Sequence, residues 1–271
     1  MSVALGEIFE NGARAPGQSI PRQYFLGVPF DKITFDDVIK LIAETRGHGK
    51  FRYIVTPNVD HIVRLAGDAE LNTYYENAWL TLCDSKPVAM LARAMPLVLP
   101  RVTGSDLTTS LFGLVIRDND CITLIAPHQN VVDQMHAKYP RLNIRAYVPP
   151  FGVLENPDEL RRCVQFAVAK RADFVFLAIG SPQSEKIAYA ISREERGTGI
   201  CLCIGAALEF MTGMKKRAPR WMRKAGVEWM HRLASDPRRL WRRYVFAVVP
   251  LARLAAGEIR QSWTSRLLRR S

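Results

Sequence analysis

The chain has few long hydrophobic runs. In its C-terminal part, the longest stretch without a charged or strongly polar residue is Tyr244 to Ala252, far short of the roughly 18 to 20 residues that a spanning helix needs. A membrane-spanning protein is therefore not expected. Residues 1–22 mix Gly, Pro, Glu, Asn and Arg without an apolar stretch, so no signal peptide is expected there. Cysteine pairing is also missing. Cys83, Cys121, Cys163, Cys201 and Cys203 are scattered and odd in number, which excludes a disulfide or thiolate-metal framework and suits a reducing, cytoplasmic setting. No G-x-G-x-x-G follows a strand-like run, and no Gly-rich loop ends in Lys-Ser or Lys-Thr, which disfavours nicotinamide enzymes and phosphate-loop nucleotidases. The five histidines, His48, His61, His128, His136 and His231, show no metal-ligand spacing, and no D-x-D stands at a strand end. Neither a metal nor another cofactor is expected.

What is present is a foldable core and a displaced charge. Hydrophobic residues make up 48% of the 271, which excludes general disorder. The net charge of +12 is uneven: Met214 to Ser271 hold 16 Lys and Arg against Glu228, Asp236 and Glu258. The remaining 213 residues hold 22 basic and 23 acidic groups and are close to neutral.

Strand-like and helix-like segments alternate along the neutral part. Thr34 with Asp37 three residues on forms a capping signature for a helix from Phe35 to Ala43. Tyr53 to Thr56 reads as a strand. Helical periodicity follows it, with Asp68 able to restart the helix as an N-cap. Trp79 to Cys83 ends on Asp84, and the next helix runs to Pro96. Further strands are expected at 121–126, 144–148, 174–179 and 200–204, with helices near 131–138, 158–170 and 183–193. Strands apolar on both faces and alternating with helices predict an α/β fold of Rossmann-like type, a mostly parallel sheet covered by helices. Ligands of such sheets bind beyond the carboxyl ends of the strands, which places Thr56, Asn58, Asp84, Ser85, Gly180 to Gln183 and Gly205 on the functional rim. The expected organisation is an N-terminal extension (1–22), an α/β catalytic body (23–213) and a helical, basic, Trp-rich appendage (214–271).

Asp84 is the leading candidate for chemistry. A carboxylate at a sheet edge can serve as a proton acceptor, but on spacing alone Asp is more often the N-cap, here of the helix that starts at Lys86. Thr56 and Asn58 offer neutral hydrogen-bonding groups suited to sugar hydroxyls or a pyrophosphate, though Pro-Asn is also ordinary turn chemistry. Gly180 to Lys186 lies where backbone N–H groups at a helix start can hold anionic oxygens. In the appendage, Trp221, Trp229, Trp241, Tyr244 and Phe246 alternate with arginines, a composition that suits the headgroup level of an anionic membrane surface. The same side chains would serve a nucleic-acid backbone and its bases, but the apolar stretch from Ala247 to Leu251 suits a bilayer better, and nucleic acid is not the expected partner. An appendage with several tryptophans can also pack against a second copy in a homo-oligomer.

Five segments, TPNVDHIV, CDSKPV, RVTGSDL, GSPQSEK and the long stretch from Ile204 to Tyr244 with its Arg-Ala-Pro, Asp-Pro-Arg-Arg-Leu and Arg-Arg-Tyr elements, resemble the WecG/TagA/CpsF family of bacterial glycosyltransferases. The likeness runs from about Tyr24 to Tyr244. It implies transfer of a sugar from a nucleotide-diphosphate sugar, usually a UDP-sugar, to a polyprenyl-pyrophosphate-linked saccharide at the cytoplasmic membrane face. By the same resemblance, Asp84 matches the general base, Thr56 and Asn58 the neighbouring polar pair, and Arg232, Arg239 and Arg242 the arginines that meet the pyrophosphate. Ser85, Gln183, Ser184 and Glu185 fall in matching substrate-binding segments. The chain departs from the family pattern at Ser85, where Gly is common, at Ser184, where Gln is usual, and at Ala126 to Asn130, which lack a glycine pair. These departures also admit a family fold that binds a partner without turnover.

Overall fold

A computed structural model describes residues 20–47, 49–95, 97–219, 221–222, 228, 230 and 249–260. The chain enters through an antiparallel hairpin, β1 (Arg22–Phe25) and β2 (Val28–Asp31). The apolar run from Tyr24 to Phe30 is therefore two strands, divided where Leu26 and Gly27 both take positive φ (53° and 75°). Arg22 grips the buried Asp31 carboxylate with Nε at 3.0 Å and Nη2 at 2.9 Å, and the Thr81 N–H donates to the same carboxylate at 2.8 Å. This ties the hairpin to the main sheet.

Helix α1 (Phe35–Thr45) starts as expected, with the Thr34 hydroxyl accepting from Asp37 N at 3.3 Å. Strand β3 (Arg52–Val55) leads to α2 (Val59–Leu65) and α3 (Ala69–Glu76), and Asp68 caps α3. Then come β4 (Leu80–Thr81), α4 (Lys86–Ala94) and α5 (Gly104–Ser110), which widens into a π turn at Leu111–Val115. The chain continues through β5 (Cys121–Ile125), α6 (Gln129–Lys138), β6 (Asn143–Tyr147), α7 (Pro157–Val168), β7 (Phe174–Leu177), α8 (Gln183–Ser192), β8 (Ile200–Cys203) and α9 (Ala207–Met211). Residues 249–260 form a further helix, α10.

The six main strands lie in the order β4-β3-β8-β7-β5-β6, and every pairing is parallel. This is the expected α/β, Rossmann-like architecture. Strands β7 and β8 are buried at every position, because alternate side chains feed two different cores. Phe174 and Phe176 join Ile200, Leu202 and Ile54 on the face covered by α1, α5 and α6, whereas Val175, Leu177, Cys201 and Cys203 join Tyr53 and Val55 under α3, α7 and α8. Cys201 and Cys203 are thus core residues on one face, as their spacing predicts. At Gly199, a Cβ would lie 2.4 Å from the Ala172 carbonyl oxygen and φ is +86°, so only glycine lets β8 enter the sheet beside β7.

Two features depart from expectation. Helix α5 is absent from the pattern read in the sequence, because Gly104 to Ser110 are mostly small and polar and Leu107 alone is too little to show an apolar stripe. The apolar stretch assigned to the bilayer also divides. Leu251 packs with Leu254 and Ala255 against the core of the body, while Val249 stays exposed. Helix α10 is pinned there by Glu258, whose Oε1 accepts from Leu26 N at 2.8 Å. Among the described residues, no helix is long and apolar enough to cross a membrane.

Candidate active site

The carboxyl ends of β3 and β4 bring the first group of candidates together. Asp84 N donates to Pro57 O at 3.1 Å, extending the register of β4 alongside β3 past the last strand residue. Residue Val102 then runs beside Cys83, its N–H donating to Cys83 O at 3.0 Å, and this return of the chain delivers the start of α5 to Asp84. The Gly104 N–H donates to Asp84 Oδ2 at 3.2 Å. Gly104 also packs tightly on Thr56, since a Cβ there would meet Thr56 Oγ1 at 2.8 Å. Side chains of Thr56 and Asp84 are thereby held on either side of one glycine.

Of the two readings of Asp84 in the sequence, helix cap or site carboxylate, the cap role belongs to its neighbour. Ser85 Oγ accepts from Val88 N at 3.3 Å and caps α4, and Ser85 is buried. Asp84 is half-buried, and the bond from Gly104 places its carboxylate toward the turn at 103–106. Asn58 lies in the same group, but its Oδ1 accepts from Asp60 N at 3.0 Å and caps α2.

The second group lies after β7. The Ser181–Pro182 bond is cis, Gly180 has φ +84°, and α8 starts at Gln183. Three buried polar atoms of this segment, Ser181 Oγ, Gln183 Oε1 and Glu185 Oε2, have no hydrogen-bond partner among the described residues. Buried polar atoms are ordinarily paired, and these three fall within five residues at the start of α8. Ser184 points inward instead, its hydroxyl donating to Leu177 O at 3.2 Å. Glu185 is 2% exposed, and burial pushes its carboxyl up to about 7, against the opposing pull of nearby donors and Arg64. Its Oε1 accepts from the Tyr75 hydroxyl at 3.3 Å, and that hydroxyl also lies 3.2 Å from His61 Nδ1. Arg64 of α2 donates to Ser181 O at 3.2 Å and pairs with Asp60 at 3.1 Å, joining the Asn58-capped helix to the β7 loop.

A third element arrives from the appendage. Arg217 Nη1 lies 2.8 Å from Asp106 Oδ1, two residues beyond Gly104. Arg232, Arg239 and Arg242, together with His231, lie outside the described residues, as do Trp229 and Trp241; Trp221 is exposed. Among the described residues, no group of three or more His, Cys, Asp or Glu is arranged to hold a metal ion. The single Asp-x-Asp sequence near the sheet, Asp118 to Asp120, precedes β5 and so lies at the opposite edge. There Asp120 is engaged by Arg46 at 2.7 Å.

Gly104, Asp106, Arg64, Tyr75 and Arg217 were not singled out as site residues by sequence reasoning, whereas Ser181 falls in the rim segment Gly180 to Gln183 that it marked. A usable signal existed for the first two: Thr103 followed by Asp106 is a helix start, and the Thr103 hydroxyl both accepts from Asp106 N (3.1 Å) and donates to Asp106 Oδ2 (2.7 Å).

A curated relative from Bacillus subtilis (strain 168), named N-acetylglucosaminyldiphosphoundecaprenol N-acetyl-beta-D-mannosaminyltransferase, is 28% identical over 148 residues. That match covers 53% of this chain and 55% of the relative, about half the length of each. The model of the glycosyl transferase WecG/TagA/CpsF family matches residues 23–265, which takes the likeness beyond Tyr244 and through the docked helix α10. With all but the two ends of the chain inside that match, the protein belongs to the glycosyl transferase WecG/TagA/CpsF family.

Proposed function

We propose that this chain is a glycosyltransferase that moves a sugar from a nucleotide-diphosphate sugar, a UDP-sugar in the first instance, to a lipid-diphosphate-linked saccharide in cell-surface polysaccharide synthesis. The observation that carries this reading is the placement of Asp84. It sits at the carboxyl edge of the sheet, next to Ser85, which caps α4, and its carboxylate accepts from the Gly104 N–H beside Thr56. Membership of the family and the activity named for the Bacillus subtilis relative support the reaction class.

In this reading Asp84 is the general base. It takes the proton from the acceptor hydroxyl as that oxygen bonds to the anomeric carbon, while the bond from that carbon to the diphosphate oxygen breaks on the opposite face and inverts the configuration. The diphosphate leaves with both electrons of the broken bond. Its charge is met by the arginines Arg232, Arg239 and Arg242, whose planar donors match phosphate oxygens. No metal is needed for that neutralisation. Ser181 Oγ, Gln183 Oε1 and Glu185 Oε2, which have no hydrogen-bond partner among the described residues, suit the hydroxyl and amide donors of the sugar nucleotide. The basic appendage holds the enzyme at the inner face of the membrane, each cation near an anionic surface contributing about 1 kcal/mol.

The test is transfer from a panel of UDP- and GDP-sugars to a synthetic lipid-diphosphate-linked N-acetylglucosamine acceptor, with and without EDTA. Product from one donor, unaffected by EDTA and of inverted configuration, is expected. No product from any donor would refute the reading.

A further inference from the structure

Arg217 stands in the irregular segment that opens the appendage, yet its side chain is only 21% exposed and its Nε is buried without a hydrogen-bond partner among the described residues. A guanidinium gives up water at a cost, and the contact that holds it in this position is the Asp106 carboxylate at 2.8 Å. Asp106 is also one half of the reciprocal cap with Thr103 that starts α5. The first residue of that helix, Gly104, supplies the N–H that aims Asp84 and packs against Thr56. The contacts thus form an unbroken line from the appendage, through one carboxylate and one helix start, to the candidate base.

We propose that Arg217 is a positioning residue: by clamping Asp106 it sets the first turn of α5, and through Gly104 the orientation of Asp84, so that the base is correctly aimed only when the root of the appendage is seated. The catalytic part of this inference rests on the reading of Asp84 as the base. Loss of the clamp leaves the substrate-binding segments in place and lets the carboxylate turn away from the acceptor hydroxyl. The predicted deficit is in turnover rather than binding, because displacement of about 1 Å at the reacting atoms can cost about 100-fold in rate.

The experiment compares the wild-type full-length chain with Arg217→Gln, Asp106→Asn and the exchanged pair Arg217→Asp with Asp106→Arg. Measured are kcat and acceptor KM on the lipid-diphosphate-linked acceptor, thermal stability, and hydrogen exchange of the Gly104 and Asp106 amides. Expected for Arg217→Gln are a roughly 10- to 100-fold loss of kcat with KM changed less than about threefold, faster exchange at both amides, and unchanged exchange in β7 and β8. The exchanged pair is expected to regain at least about half of the lost protection. Unchanged exchange in Arg217→Gln, or an exchanged pair no better than the single variants, overturns the clamp. A lower melting temperature with unchanged kcat reduces Arg217 to a merely structural role and overturns the proposal. If Asp84→Asn keeps full activity, the base assignment fails, while the exchange measurements still decide whether Arg217 sets the α5 turn.

Discussion

Glu185 gives a prediction whose size follows from its surroundings. It lies at the start of α8 with one oxygen near Tyr75 and the other without a partner at hydrogen-bonding geometry among the described residues, and burial raises its carboxyl from an ordinary 4.5 to about 7. At about 1.4 kcal/mol per pH unit, that displacement corresponds to about 3 kcal/mol. Because the folded chain holds this proton more tightly than the unfolded chain, the contribution is fully present below about pH 4.5. It declines as pH rises toward 7 and is lost above it. Glu185→Gln keeps the shape and an acceptor for Tyr75 but removes the ionisation. The perturbation is therefore read as a difference, with urea unfolding of wild type and variant at pH 4.5, 6 and 8. The stability of the variant relative to wild type is expected to rise by about 3 kcal/mol between pH 4.5 and 8. Parallel stability profiles over that range would show that the Glu185 carboxyl is not held in a desolvated, partly unpartnered state, and would refute the reasoning.

Other perturbations test other parts of the structure. Gly104→Ala places a methyl about 2.8 Å from Thr56 Oγ1, so transfer activity is expected to fall by at least about tenfold while stability drops by only about 1 to 2 kcal/mol, checked by kinetics and urea unfolding on one preparation. Gly199→Ala meets carbonyl oxygen at 2.4 Å with φ +86° and is expected to cost about 3 kcal/mol or more in chemical unfolding. Arg22→Ala leaves the Asp31 carboxylate, fully buried in its side chain, without its cation, for an expected loss of about 3 to 5 kcal/mol in the same measurement.

The body was legible because burial on both faces writes a simple pattern. Strands such as FVFL and ICLC are apolar at every position, and the intervening helices carry an apolar stripe, so the parallel sheet and its rim follow from periodicity. Caps were legible wherever the polar residue stood alone, as at Thr34 and Asp68. They were ambiguous at Asp84-Ser85, where two good caps are adjacent and only the backbone decides that Ser85 turns to the helix and Asp84 toward Gly104. Helix α5 was not legible, since its first turn is small and polar and its stability comes from the Thr103–Asp106 cap and from packing on α9. The contact of Arg217 with Asp106 spans more than a hundred residues, a separation across which local pattern carries no information. In the tail, the apolar stretch Ala247 to Leu251 read as suited to a bilayer, but Leu251 packs on the body, where the turn at Leu26-Gly27 offers the N–H that donates to Glu258 and holds α10 on the core.

The central claim is that a carboxylate at the end of β4, aimed by the Gly104 N–H, performs the proton transfer of a sugar transfer reaction. Its most direct test is the single-turnover rate of Asp84→Asn against wild type, with the lipid-diphosphate-linked acceptor and the donor that supports wild-type transfer, on samples of matched thermal stability. The account predicts that the variant binds both substrates and transfers about 100- to 10,000-fold more slowly. Transfer at the wild-type rate would contradict it.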